Sequence, residues 1–376
     1  MIIIPLFDIE KQLYENLSKF FIKISNNFLI EYCLKSIKFD NNEKILFILS
    51  EKTCFNLNID VILKNIYKNS IFSIIKNSNS VLDSIIQSKH LIFSNEKLII
   101  FAPPFSYFEP QFEITNYDEN KSNIHVLLFK SNNPQHCYTN IENNKIIDIK
   151  EKSIIGNYAL LGIYCFKDKD FLLNLLNTLE ISDKTLFLSD LLINYIRNNN
   201  YISFKKLDLI YPFKNKDYID YLKKNVIFSN ELIIGLSSDH SGFEQKNKMI
   251  EILKDNSIKY IDYGCYTCND CDYYDFIKNQ YEGFKNNEFN FALSFCRSGQ
   301  GVNICANHCG FISTLIYNKW SAQMAIEHNN CNCMCLSGKL LDDRVYDYLD
   351  ILNIIKNVKF LGGRFLDRLI KVKNKF

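Results

Sequence analysis

The chain has 376 residues, 47% of them hydrophobic, and a formal net charge of +2. Such a length suits about two domains, and so small a charge excludes the strongly basic footprint of a dedicated nucleic-acid binder. No apolar run approaches a membrane span, and the start, Met1-Ile2-Ile3-Ile4-Pro5, lacks the basic region of a signal peptide, so a soluble cytoplasmic protein without nucleic-acid or membrane partners is expected.

Ile2 to Leu6 reads as a buried first strand. Residues 9–38 carry helical spacing, with Phe28, Leu29, Tyr32, Cys33 and Ile37 on one stripe. Strand-like runs recur at Ile45 to Leu49, Leu98 to Ala102, Ile124 to Phe129 and Ala159 to Phe166, with helical stretches between several of them. This alternation predicts an α/β sheet domain. Ile2 to Leu6, Lys19 to Ile24 and Phe28 to Tyr32, with Lys145 to Lys152 and Gly162 to Phe166 later, make this region similar to sugar-phosphate nucleotidyltransferases. That family wraps nucleotide phosphates with a glycine-rich loop after the first strand. Here Phe7 to Tyr14 holds no glycine and two acids, which would repel phosphate. The family's magnesium-binding aspartate is also missing, since Pro103-Pro104-Phe105-Ser106 offers no carboxylate. A degenerate nucleotidyltransferase-like domain over 1–228, without nucleotidyl transfer, is therefore expected. A short helix is expected near Tyr218 to Leu222, and a linker around 224–231.

The second domain, 229–376, restarts with the strand Leu232 to Leu236 and the loop Ser237 to Phe243. A helix from about Glu244 to Leu253, a strand from Tyr260 to Gly264 and a helix opened by Asp272 follow. Phe291 to Cys296 is an apolar strand ending in a thiol, and Gly299 and Gly301 let the next loop bring its backbone N–H groups close to a ligand. A helix through Ala306, a strand from Phe311 to Ile316, a helix from Trp320 to Glu327 and a strand from Cys331 to Leu336 complete the pattern. Both domains are thus read as α/β, each a mainly parallel Rossmann-like sheet with helices on both faces. Such sheets bind ligands at the carboxyl ends of their strands, where Asp239, His240, Cys296, Tyr317 and Asn318 fall.

Thirteen cysteines without an export signal are expected to be free thiols. Cys265-x-x-Cys268-x-x-Cys271 and Cys331-x-Cys333-x-Cys335 do not form the paired knuckles of a structural zinc site, so no metal is expected.

Taken together, Ser238 to Phe243, Asp262-Tyr263-Gly264, Asp272-Tyr273, Cys296 to Gly301, Ala306-Asn307, Trp320-Ser321-Ala322, Glu327 to Asn330 and Gly362-Gly363-Arg364 closely resemble the ribose-5-phosphate isomerase B group, which includes the galactose-6-phosphate isomerase subunits. The resemblance implies aldose–ketose isomerisation of a phosphorylated sugar through an enediolate, with no cofactor. It makes Cys296 the base and Ser298 its hydroxyl partner, with the amides of Gly299 to Gly301 as the anion hole. It gives His240, Arg364 and Arg368 to the phosphate, and Asp239, Tyr273 and Asn318 to the sugar. In that family the site lies between two subunits, which implies a homodimer or larger assembly. The chain departs from the family at Tyr317, where ribose-5-phosphate isomerase B commonly has a histidine, at Arg297, where a glycine is usual, and at Tyr274 and Lys339. The family company suggests a role in making an activated sugar for a surface polysaccharide. A non-catalytic sugar-phosphate or nucleotide-sugar sensor is the alternative. Cys296→Ser separates the two, because only an enzyme has turnover to lose.

Overall fold

The computed structural model describes residues 1–6, 13–14, 17–18, 23–24, 27–39, 42–51, 58–93, 97–102, 106–113, 122–179, 186–212, 231–339 and 347–373. The chain divides into two units, Met1–Asp220 with Leu366–Ile370, and Tyr221–Phe365 with Lys371–Phe376. Among the described residues no helix is long and apolar enough to cross a membrane.

The first unit is built on one large sheet. Its strands are β1 (Ile2–Pro5), β2 (Ile45–Ser50), β3 (Ser70–Ile75), β4 (Leu98–Phe101), β5 (Ile124–Lys130), β6 (Cys137–Glu142), β7 (Lys145–Glu151), β8 (Tyr158–Phe166) and β9 (Ile202–Leu207). The main path runs β7-β6-β8-β4-β1-β2-β3, with β5 joining β8 to β9. β1 pairs in parallel with both β2 and β4, and β2 with β3. Continuous burial of β1, β4 and most of β2 explains their unbroken apolar runs, since helix-covered parallel strands face apolar surroundings on both sides. The sheet then turns antiparallel, β8 pairing with β4, β5 and β6. Helices α1 (Val81–Gln87), α2 (Lys169–Asn177) and α3 (Leu188–Arg197) contribute Leu82, Leu172 and Leu191 to its core. α1 and α2 begin where a side chain satisfies an orphan amide: Ser80 Oγ accepts from Asp83 N at 3.1 Å, and Asp168 Oδ1 from Phe171 N at 2.7 Å.

The expected helix over 9–38 is much shorter than its spacing suggests. Within the described residues only Leu29–Lys35 is helical, preceded by the short antiparallel pairs Leu13–Tyr14 with Leu17–Ser18 and Lys23–Ile24 with Asn27–Phe28. The expectations for Phe7 to Gln12, Pro103 to Phe105, Tyr218 to Leu222 and most of the linker lie outside the described residues.

His125 on β5 gives this unit a pH sensitivity. It is only 8% exposed, stacks on Phe112 with ring centroids 5.7 Å apart, and sets Nδ1 2.9 Å from Ser203 Oγ. Burial, helped by Lys205, lowers its pKa to about 4. The unfolded chain takes up this proton near pH ~6.5, so stability is intact above that value and falls as pH drops toward 4, by up to about 3 kcal/mol. Urea unfolding of the first unit's transition at pH 7 and pH 4.5 should show this loss, and His125→Gln should reduce it. An equal loss in both proteins would rule out His125 as its source.

The second unit is a doubly wound parallel sheet. Its strands are β10 (Ile233–Ser238), β11 (Lys259–Asp262), β12 (Phe291–Cys296), β13 (Ser313–Leu315) and β14 (Cys333–Ser337), in the order β11-β10-β12-β14-β13. Every pairing is parallel. The crossovers carry α4 (Phe243–Asp255), α5 (Tyr273–Lys285), α6 (Gln300–Cys309) and α7 (Lys319–Asn329), followed by α8 (Tyr348–Asn357) and α9 (Gly363–Lys373), of which Leu366–Ile370 group with the first unit. One core joins Ile234, Leu236, Met249, Leu293, Phe295 and Ile351; another joins Ile277, Ala292, Cys296, Val302, Cys305, Cys333 and Cys335. The central strand β12 therefore has an apolar layer on each face, which its wholly buried sequence reflects.

Candidate functional site

Cys296 is the last residue of β12, at the end of the sheet where β10, β13 and β14 also finish. Its carbonyl accepts from Gly338 N at 2.7 Å, and the thiol is buried beside Val302 and Cys305. The chain leaves the strand through exposed Arg297 and Ser298 and enters α6 at Gly299, whose φ of +76° is a left-handed value that favours glycine. A Cβ there would lie 2.6 Å from Leu315 Cδ1. Gly299→Ala should therefore cost about 2 kcal/mol from the backbone alone, with the clash in addition, and lower the melting temperature. An unchanged melt would contradict the geometry. Ser298 Oγ accepts from Gln300 N at 3.3 Å, so the hydroxyl helps form the first turn.

The loop after β10 meets this one by close backbone approach. A Cβ on Gly242 would lie 2.6 Å from Phe295 C and O, and one on Gly338 would lie 2.4 Å from Ser241 O. Asp239 N donates to Phe295 O at 3.2 Å, and Asp239 Oδ1 accepts from Gly242 N at 2.9 Å. Burial pushes the Asp239 carboxyl up, opposed by that amide and by His240. His240 Nδ1 lies 3.2 Å from the Cys271 amide nitrogen and 3.3 Å from the Cys271 carbonyl oxygen, so the ring is anchored through Nδ1 on the Cys271 backbone in either tautomer. Asp270 Oδ1 lies 3.1 Å from the same nitrogen.

Tyr273 opens α5 and packs on Gly301, where a Cβ would sit 2.9 Å from its ring. Asn318 follows β13 and is committed to capping α7: its Oδ1 accepts from Ser321 N at 2.8 Å. The adjacent Tyr317 side chain is 54% exposed. Asp239, His240, Tyr273, Cys296, Ser298, Gly299, Gly301 and Asn318 thus lie in strand ends, loops and first helical turns at one end of one sheet.

Arg364 does not join them within the chain. Leu361 N donates to Glu327 O at 3.0 Å, and Phe365 stacks on His328 with centroids 4.1 Å apart. α9 therefore starts beside the C-terminal end of α7, toward the edge of the sheet where β14 begins rather than where β12 ends. Arg364 and Arg368 share this helix, and Arg368 falls among the residues that group with the first unit.

Two supports escaped the sequence reading. Beneath the loop, fully buried Gln280 accepts from Ser237 Oγ and Ser294 Oγ, both at 2.9 Å, and donates to the Gly235 and Leu293 carbonyls at 2.9 and 3.2 Å. Lys246, with no exposure, holds Asp262 at 2.6 and 2.7 Å and the Cys265 carbonyl at 2.6 Å. The only sequence cue was a polar residue at an apolar helical position: Gln280 three after Ile277, and Lys246 three before Met249. Among the described residues, no group of three or more His, Cys, Asp or Glu side chains is arranged to hold a metal. Cys265 Sγ donates to the Thr267 carbonyl, and Cys333 and Cys335 face the same way with Sγ atoms 3.9 Å apart.

This unit is a doubly wound α/β domain whose glycine loop, thiol and imidazole gather where such sheets bind ligands. The chain belongs to the ribose/galactose isomerase family, whose model matches residues 234–372. It is 31% identical over 141 residues to a Rickettsia conorii protein that carries a provisional sugar phosphate isomerase name, covering 37% of this chain and 96% of that one. It is 30% identical over 145 residues to the probable ribose-5-phosphate isomerase B of Mycoplasma genitalium, covering 37% of this chain and 92% of that one. The first unit shares its fold with a nucleoside-diphosphate-sugar pyrophosphorylase from Vibrio cholerae RC9, at 15% identity and a TM-score of 0.50 over 59% of this chain and all of that one. At that identity the likeness shows the fold alone.

Proposed function

We propose that residues 229–376 interconvert an aldose and a ketose phosphate through an enediolate, with Cys296 as the base. The observation that carries this reading is the meeting of the Asp239–His240 loop, the Cys296–Gly301 loop and Tyr273 at one end of the sheet. As a thiolate, Cys296 takes a proton from one carbon and returns it to its neighbour. Ser298 orients a sugar hydroxyl, and the amides at the start of α6 hold the enediolate oxygen. Asp239, Tyr273 and Asn318 line the sugar, and His240 binds the phosphate through Nε2.

Arg364 and Arg368 reach that phosphate from a second copy, because α9 starts toward the opposite edge of its own sheet. The protein therefore works as a homodimer or larger homo-oligomer, in the cytoplasm. Residues 1–228 hold a sugar or nucleotide-sugar, or act as a scaffold, without transferring nucleotides; magnesium-dependent pyrophosphate release from a nucleoside triphosphate would contradict this. The pairing of the two domains fits synthesis of an activated sugar for a surface polysaccharide.

Assay of the full chain against pentose and hexose phosphates should give aldose–ketose interconversion with at least one. Binding without turnover across the panel would favour the second reading, a sugar-phosphate sensor, for which the exposed Tyr317 in place of the family histidine speaks.

A further inference from the structure

Two separate loops at the Cys296 end of the sheet carry groups suited to anions. One follows β10 and presents His240. The other sits where β12 and β14 finish: the Arg297 carbonyl accepts from Ser337 Oγ at 2.8 Å and from Lys339 N at 3.2 Å, tying Arg297 and Lys339 together through the backbone. Both of these side chains are exposed, and among the described residues neither has an ion-pair partner. Lys246, Lys259, Lys285 and Lys319, by contrast, pair with Asp262, Glu231, Glu282 and Asp350. A solvated surface pair would be the bland account of Arg297 and Lys339. Their anchoring directly after Cys296 gives a better one. A guanidinium fork and an ammonium carried on neighbouring, hydrogen-bonded backbone match the charge and the oxygens of a phosphate dianion.

We propose that Arg297, with Lys339, recognises a second phosphate, so that the substrate is a sugar bisphosphate whose extra phosphate lies close to the carbons that exchange the proton. This rests on the reading of Cys296 and His240 given above, with one phosphate assigned to His240 and the other to Arg297.

Calorimetric titration of the full chain with D-ribulose 5-phosphate and D-ribulose 1,5-bisphosphate tests it. The bisphosphate should bind about 10- to 100-fold more tightly, the range expected for one charge-assisted contact. Arg297→Gln should remove most of that advantage, and Arg297→Lys should keep part of it. Equal affinities in the wild type, or an advantage that survives Arg297→Gln, would overturn the inference. Monophosphate binding with no bisphosphate advantage would defeat this inference alone. Failure of both sugars to bind would overturn this inference, while the isomerase reading is decided separately by the panel of pentose and hexose phosphates. Should Arg297→Gln fail to fold, the wild-type comparison and Arg297→Lys decide.

Discussion

Replacing Lys246 by methionine is expected to destabilise the second unit by about 3 kcal/mol. The side chain is completely buried and serves three acceptor atoms, both carboxylate oxygens of Asp262 and the Cys265 carbonyl. It also lies 5.7 and 5.5 Å from the centroids of the Phe243 and Tyr266 rings. Methionine fills similar volume but leaves a carboxylate and a carbonyl without their donor. Asp262 is 24% exposed and keeps the Gly264 amide at 2.9 Å, so water relieves part of the loss, which places the cost at the lower end for a broken buried pair. The melting temperature of this unit's transition should fall by about 10 °C. The double variant Lys246→Met with Asp262→Leu should recover part of it, because the orphaned charge is then gone. A single variant as stable as the wild type would show that the pair does not anchor the 262–265 loop.

The largest catalytic effect is expected from Cys296→Ala. If the thiolate moves the proton, its removal costs the general-base contribution, about 10²- to 10⁴-fold in kcat. The side chain sits in an apolar layer with Val302, Cys305, Cys333 and Cys335, and losing one sulfur there leaves only a small cavity. Fold and sugar-phosphate binding should therefore survive. Cys296→Ser keeps the shape but offers a far weaker acid, and should be nearly as slow. Loss of binding in step with kcat would instead give Cys296 a packing role.

The β/α rhythm was legible because each buried parallel strand is a continuous apolar run closed by glycine or polar residues, as from Phe291 to Gly301. The loops that meet around Cys296 were legible for the same reason, since strand ends mark where a doubly wound sheet gathers its side chains. The antiparallel pairs Leu13–Tyr14 with Leu17–Ser18 and Lys23–Ile24 with Asn27–Phe28 were not, because strands of two residues are too short to show a period of two against the helical spacing around them. Gln280 and Lys246 were hidden because their partners lie far along the chain, Ser237 being 43 residues from Gln280 and Asp262 being 16 from Lys246. The location of Arg364 was equally invisible. Its spacing to Arg368 fixes a shared helix, but only the docking of Leu361 and Phe365 on the end of α7 fixes where that helix begins.

The most direct test of the central claim is deuterium incorporation at C1 and C2 of pentose and hexose phosphates, followed by NMR in deuterated water with the wild type and Cys296→Ala side by side. Exchange into at least one sugar by the wild type, lost in Cys296→Ala while that sugar still binds, is the predicted result. No exchange into any sugar by folded, ligand-binding wild-type protein, or equal exchange by both proteins, would contradict enediolate chemistry at Cys296.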